Sequence, residues 1–224
     1  MAPLKALVFD LDDTLYPEAA FVRSGFRAVA RHLEAEAGLD PEPVFQRLWR
    51  AHLRGERGRL FDGLLAEHPG IQGGPGRLVE VYRAHAPAIR LFPGMDGLLD
   101  EARRRGLPLA LISDGWLEAQ RRKVEALGLA SRFQAILLTD AWGRPFWKPH
   151  PRAFEEAARL LGAAPGSLVY VANNPAKDFQ APRALGWHTV RLEMPGQLPA
   201  EPVLQEADRR VQGVAALRAL LLPH

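Results

Sequence analysis

The sequence contains no cysteine. That excludes disulfides, thiolate metal sites and a cysteine nucleophile together. Four other residue types are scarce in the 224 residues: four Lys, two Asn, four Ser and three Thr, against 25 Arg and 19 Pro. Scarce Asn and Met with abundant proline lean towards a thermophilic source. The same shortage gives weight to every Lys, Asn, Ser or Thr that is present, because a chain that avoids a residue type has little use for it as filler. No stretch approaches the roughly 18 uncharged apolar residues that open a case for a membrane helix, so no membrane association is expected. The opening MAPLKALVFD carries one Lys and does not read as a secretory leader, so the expected location is cytoplasmic. An excess of one charge is also missing: 29 Lys and Arg stand against 26 Asp and Glu, for a net charge of +3. The longest basic run, Arg103 to Arg105, fits a solvated helix face, and no recognition motif joins it, so nucleic acid is not an expected partner.

What is present is the mixture of an ordinary globular protein, 47% hydrophobic and 25% charged. Lys5 to Asp10 (KALVFD) is a short apolar run ending in an acid, the pattern of a buried strand. From about Glu18 to His85 the apolar residues fall at helical spacings, with a loop expected over Gly70 to Gly76. After Phe92-Pro93-Gly94, strands and helices alternate. Strands are expected at Leu107 to Ser113, Gln134 to Leu138, Leu168 to Ala172 and His188 to Leu192. Helices are expected at Leu98 to Arg105, Glu118 to Leu127, Pro151 to Leu161, Pro175 to Leu185 and Val214 to Leu222. Apolar strands alternating with helices imply a parallel sheet covered on both faces. The expected fold is therefore α/β, a Rossmann-like core made of residues 1–16 and 90–224. A small α-helical insertion, residues 17–89, is expected after the first strand.

The chemistry-bearing residues cluster at the ends of these strands, the edge where open α/β sheets place ligands. Asp10-Leu11-Asp12-Asp13-Thr14 follows the first strand directly. Extended residues two apart point the same way, so Asp10 and Asp12 can face one space. Two close carboxylates repel, and a bound Mg²⁺ would keep Asp10 ionised as a nucleophile while Asp12 carries a proton for a leaving group. A plain turn-capping acid is the alternative. Ser113-Asp114-Gly115 ends the second strand, where a hydroxyl and exposed N–H groups can hold phosphate oxygens, or simply cap a helix. Lys148, in Trp147-Lys148-Pro149-His150-Pro151, can neutralise a phosphate. Asn173 and Asp178, in the run Asn173 to Asp178 (NNPAKD), offer oxygen ligands to Mg²⁺.

Taken in order, DLDDT, SDG, KPHP and NNPAKD resemble the four motifs of the haloacid dehalogenase-like superfamily. The resemblance implies a Mg²⁺-dependent phosphatase acting on a small phosphorylated metabolite. Asp10 would form an aspartyl-phosphate, and Asp12 would serve as general acid and then base. Thr14 and Ser113 would position the first carboxylate and the phosphate, with Lys148 balancing charge. Substrate contacts would come from Ser113, Asp114, Gly115, Lys148 and Trp116. The metal would be held by Asp10, the Asp12 carbonyl, Asn173 and Asp178. The inserted helices match the family's cap, and Glu18, Arg23 and Arg90 are polar residues able to reach the site. One residue departs from the pattern: the fourth motif usually begins Gly-Asp, whereas this chain has Ala172-Asn173. A low-turnover phosphometabolite-binding protein, a phosphomutase and a haloacid dehalogenase stay open as alternatives. A monomer and a homodimer are equally compatible with the sequence.

Overall fold

A computed structural model of the chain describes residues 4–56, 58–197 and 203–223. Met1 to Pro3, which open the N-terminal reading, lie outside them. Six short segments pair side by side in the order β3-β2-β1-β4-β5-β6, every neighbour parallel. They are β1 (Ala6–Phe9), β2 (Leu109–Ser113), β3 (Ala135–Leu138), β4 (Leu168–Ala172), β5 (His188–Glu193) and β6 (Arg209–Gln212). Every residue of β1, β2 and β4 is buried, as expected of strands covered on both faces.

The chain divides into two compact units, residues 1–19 with 89–224, and residues 20–88. The first holds the sheet and helices α5 (Met95–Arg104), α6 (Leu117–Ala126), α7 (Arg152–Leu161), α8 (Gln180–Ala184) and α9 (Gly213–Leu221). Its core joins Ala6 and Val8 of β1 to Tyr170 of β4 and to Ala153, Phe154, Ala157 and Leu161 along one side of α7. The Phe154 ring meets those of Tyr170 and Trp187 edge-on, at 5.0 and 5.7 Å between centroids. The second unit is helical: most of α1 (Glu18–Ala37), then α2 (Pro41–Leu53), α3 (Leu60–Glu67) and α4 (Gly74–Ala84). Phe26, Leu33, Leu48, Leu64 and Leu78 form its apolar centre. The Asp40 side chain starts α2 by accepting the Glu42 N–H at 3.0 Å, and Pro41 opens the first turn without needing a donor.

Three elements differ from the sequence expectation, each for a local reason. Strand β6 carries Arg209, Arg210 and Gln212 on an exposed sheet edge and so has no apolar run. The helix expected from Pro175 begins only at Gln180. Asn174 takes that stretch into a turn instead: its side chain accepts the Ala176 N–H at 2.9 Å, and its own N–H donates to Asp178 at 2.9 Å. Helix α4 starts at Gly74, inside the expected loop.

The edge strand is anchored from its preceding loop. Asp208 accepts both the N–H and the hydroxyl of buried Thr189 at 2.8 Å, and its own N–H donates back to Thr189 Oγ1 at 2.9 Å. Arg183 pairs with the same carboxylate. Asp208→Ala leaves the Thr189 donor without a partner, so a loss of about 1–3 kcal/mol is expected, read as a Tm lower by roughly 2–10 °C. A Tm unchanged in thermal denaturation would contradict this anchoring role.

Candidate active site

The carboxyl end of β1 is the centre of the sheet and its switch point, since β2 lies on one side and β4 on the other. Asp10 leaves β1 there, its N–H still bonded to the Val171 carbonyl at 2.9 Å. The chain then turns sharply: the Leu11 carbonyl accepts from Thr14 and Leu15 at 3.3 and 3.0 Å. Asp13 takes a left-handed φ of 54°, a conformation that Asp tolerates better than most residues. Its carboxylate accepts the Glu18 N–H at 2.8 Å, which launches α1. Thr14 is fully buried, and its hydroxyl lies 3.1 Å from Asp10 Oδ2 and 3.4 Å from Asn173 Oδ1. One hydroxyl thus spans the ends of β1 and β4.

Lys148 arrives from the loop before α7. Its N–H donates to Asp114 Oδ1 at 3.1 Å, and the Thr139 hydroxyl donates to the same oxygen at 2.7 Å. The ammonium then reaches Asp10 Oδ1 at 2.6 Å, Asp178 Oδ1 at 2.7 Å and the Tyr170 hydroxyl at 3.1 Å. The Lys148 and Asp178 side chains are wholly inaccessible to solvent. Burial and the nearby Asp178 charge push the Asp10 carboxyl up to about 6, against the opposing pull of Lys148. Burial works against the Lys148 charge too, but the Asp10 and Asp178 carboxylates outweigh it and hold the ammonium protonated far above its usual range. Burial and Asp178 raise the Tyr170 phenol well above normal, so it stays a neutral hydroxyl.

Asp12 sits among a separate set of partners. Both its oxygens meet the Lys123 ammonium, at 2.7 and 2.9 Å, and the Tyr16 hydroxyl donates to Oδ1. Burial alone would raise this carboxyl, but the Lys123 charge and the Lys123 and Tyr16 hydrogen bonds overcome it and lower its pKa. Glu18 has the opposite balance: burial and the Asp12 charge push it up to about 7.

The residues of the four motifs therefore meet at one sheet edge. A family model for haloacid dehalogenase-like hydrolases matches residues 4–186. The chain belongs to that family. It is 37% identical over 118 residues to a phosphoserine phosphatase of Thermus thermophilus, an alignment covering 51% of this chain and 47% of that one. The chain thus spans about half the length of that curated relative. A glyceraldehyde 3-phosphate phosphatase of Methanopyrus kandleri is 29% identical over 209 residues, 89% of this chain and 88% of that one. Among solved structures, a haloacid dehalogenase family hydrolase of Deinococcus radiodurans with bound phosphate and sodium superposes with a TM-score of 0.65 at 25% identity. It covers 99% of this chain and 96% of its own.

Within this hydrolase, Asp10, Thr14, Lys148, Asn173 and Asp178 form one connected group. Ser113 joins Asp12 through a residue the motifs do not include: its hydroxyl donates to Gln120 Oε1 at 3.1 Å, and Gln120 Nε2 donates to Asp12 Oδ2 at 3.3 Å. Asp114, expected among the substrate contacts, is buried and binds the chain's own Lys148 loop. Gly115 has φ 124°, and a Cβ there would collide with the Gln120 amide. Trp116 keeps 42% of its surface exposed, with the Arg144 guanidinium 4.7 Å from its ring centroid. Lys123, Gln120, Tyr16, Tyr170, Thr139 and Lys177 were not expected as site residues from the sequence. Lys177 lies 3.6 Å from Asp114. Composition held a signal for the lysines, since three of the four in the chain stand at this site.

Glu18 gives a pH-dependent prediction. Its folded pKa is raised from 4.5 to about 7, so the folded state resists its ionisation. That cost is absent below pH 4.5, grows as pH rises towards 7 and is complete above it. Glu18→Gln is expected to match the wild-type Tm at pH 4.5 and exceed it at pH 8 by several degrees, on the order of 1–2 kcal/mol. Equal melting at both pH values would contradict the shift.

Proposed function

We propose that the chain is a Mg²⁺-dependent phosphatase of small phosphorylated metabolites, working through a phosphoryl group on Asp10. The observation that carries this reading is the pairing of Asp10 with a buried ammonium that two carboxylates, Asp10 and Asp178, hold protonated against the pull of burial. A phosphate dianion approaching Asp10 needs cationic charge there, and electrostatic stabilisation is the main means of accelerating phosphoryl transfer. Phosphatase relatives of two named substrates support the reaction class.

In the first step an Asp10 oxygen attacks phosphorus in line. The bond to the leaving oxygen breaks, and Asp12 gives that oxygen a proton, which Asp12 has to take up beforehand against the pull of Lys123 and Tyr16. In the second step water attacks the same phosphorus, Asp12 takes a proton from the water, and the aspartyl–phosphorus bond breaks to release phosphate. Thr14 donates to one oxygen of Asp10 and Lys148 to the other, which together fix the direction of the attacking carboxylate. Ser113 and the N–H groups beside it receive the phosphoryl oxygens.

The donor chemistry fits Mg²⁺. Asp10, Asp178, Asn173 and the Asp12 carbonyl are hard oxygen donors, and Mg²⁺ commonly takes one or two carboxylates with waters and a substrate phosphate. The Thr14 hydroxyl brings Asp10 and Asn173 within reach of one point. Among the described residues there is no group of three or more acidic or histidine side chains suited to a metal, so the oxygens of Asn173 and the Asp12 carbonyl belong to the donor set of this reading. When bound, the cation would supply positive charge to the phosphate oxygens. Asn173→Asp is expected to lower the Mg²⁺ concentration for half-maximal activity by roughly tenfold; an unchanged value would count against Asn173 as a ligand. The helical insertion, expected over residues 17–89, is read as the family's cap, the part that selects the substrate.

The direct test is hydrolysis of p-nitrophenyl phosphate by wild type and Asp10→Asn, with Mg²⁺ and with EDTA. Wild type is expected to require the metal, and Asp10→Asn to lose on the order of a thousandfold or more in kcat. Activity on a haloalkanoate that ignores EDTA would shift the reading to dehalogenation, whose carbon chemistry has no use for Asp12. Ligand-induced stabilisation without turnover would shift it to a binding protein.

A further inference from the structure

Helix α6 presents Gln120 and Lys123 on one side, three residues apart and so neighbours on the helix surface. Both reach Asp12. Lys123 holds its two oxygens at 2.7 and 2.9 Å, and Gln120 donates to Oδ2 at 3.3 Å while accepting the Ser113 hydroxyl at 3.1 Å. Both residues are almost fully buried, at 3% exposure each. We propose that Gln120 and Lys123 are positioning residues, which fix the direction of the Asp12 carboxylate and couple it to Ser113 on the phosphate side of the site.

The geometry separates this from an ordinary structural ion pair. Tyr16, Lys123 and Gln120 approach Asp12 from within the protein, yet the Asp12 side chain keeps 20% of its surface open. That open edge is where a leaving oxygen or a water can meet it. A carboxylate with fewer contacts would rotate, and proton transfer demands heavy atoms within hydrogen-bond reach. The residue type matters as well. Arg outnumbers Lys by 25 to four in this chain, yet the buried partner of Asp12 is Lys. An ammonium is a compact charge on a flexible stem, whereas a guanidinium is a wide planar fork. Gly115 completes the arrangement: a side chain there would occupy the space of the Gln120 amide. The motif glycine is thus needed to let Gln120 lie beneath the serine loop and touch both groups.

The proposal rests on Asp12 acting as the general acid, so the experiment has to fail separately for each. The probes are 2,4-dinitrophenyl phosphate, whose phenolate departs without a proton, and phenyl phosphate, whose leaving oxygen needs one. The readout is kcat/KM, which reports phosphoenzyme formation alone. Lys123→Met is expected to lower kcat/KM for phenyl phosphate by about 10- to 100-fold and for dinitrophenyl phosphate by no more than about threefold. Gln120→Met is expected to shift the same ratio in the same direction by less. Equal losses on both probes, or no loss on either, would overturn the proposal. Asp12→Asn, run beside them, should show the strongest leaving-group dependence. If Asp12→Asn shows none, the acid assignment itself falls; if Asp12→Asn shows it and Lys123→Met does not, only the positioning role falls. If Lys123→Met does not fold, Gln120→Met decides: an altered ratio supports the coupling, and a wild-type ratio refutes it.

Discussion

The site is organised around one buried ammonium. Lys148 lies between Asp10 and Asp178, within 2.7 Å of each. Each carboxylate terminates a different part of the sheet, Asp10 the end of β1 and Asp178 the turn beyond β4. Two carboxylates buried together without that cation would repel and suffer heavy desolvation, so at least one would protonate. The pair of contacts therefore keeps Asp10 usable as an anion and draws three separate chain segments to one point. Removing one partner of such a buried pair costs more than the pair itself gains over an apolar replacement. Its presence here is better understood through the chemistry it permits than through stability.

The rest of the architecture supplies rigidity to that point. Parallel strands buried on both faces fix the ends from which Asp10, Ser113 and Asn173 emerge. Short side-chain hydrogen bonds then set the loops: Asp114 accepts from the Lys148 backbone N–H and the Thr139 hydroxyl, Asp13 accepts the N–H that starts α1, and the Asn174 N–H donates to Asp178 within its turn. Charged groups that touch no reacting atom thus shape the ones that would. The contrast between Asp10 and Asp12 follows from the same local design. Burial beside a second carboxylate raises Asp10, while a lysine and a phenol lower Asp12.

Much of this was legible from the sequence because it depends on local patterns. Apolar runs ending in Asp10, Ser113 and Ala172 mark both the strands and the edge where they stop. The α/β class and the meeting of the four motifs follow from that regularity. What was not legible depends on long-range approach. Gln120 and Lys123 sit in LEAQRRKVEA, which reads as a polar helix; only the placement of α6 beside the Asp12 turn buries them. Strand β6 was hidden because an edge strand has no need of apolar residues, and α8 was overextended because the Asn174 turn competes with helix in the same sequence. Rarity, which gives weight to each Lys and Asn of the sequence, points to the same place. Lys123, Lys148 and Lys177 are three of four lysines, and both asparagines lie in the turn after β4.

The central claim is that the Asp10 carboxylate carries the phosphoryl group. Rapid mixing with 2,4-dinitrophenyl phosphate, acid quenching and borohydride reduction, followed by mass spectrometry of the peptides, tests it directly. The account predicts a phosphorylated intermediate whose reduction converts Asp10 alone to homoserine, and none in Asp10→Asn. Turnover of the substrate with the label absent from Asp10, or found on another residue, would contradict it.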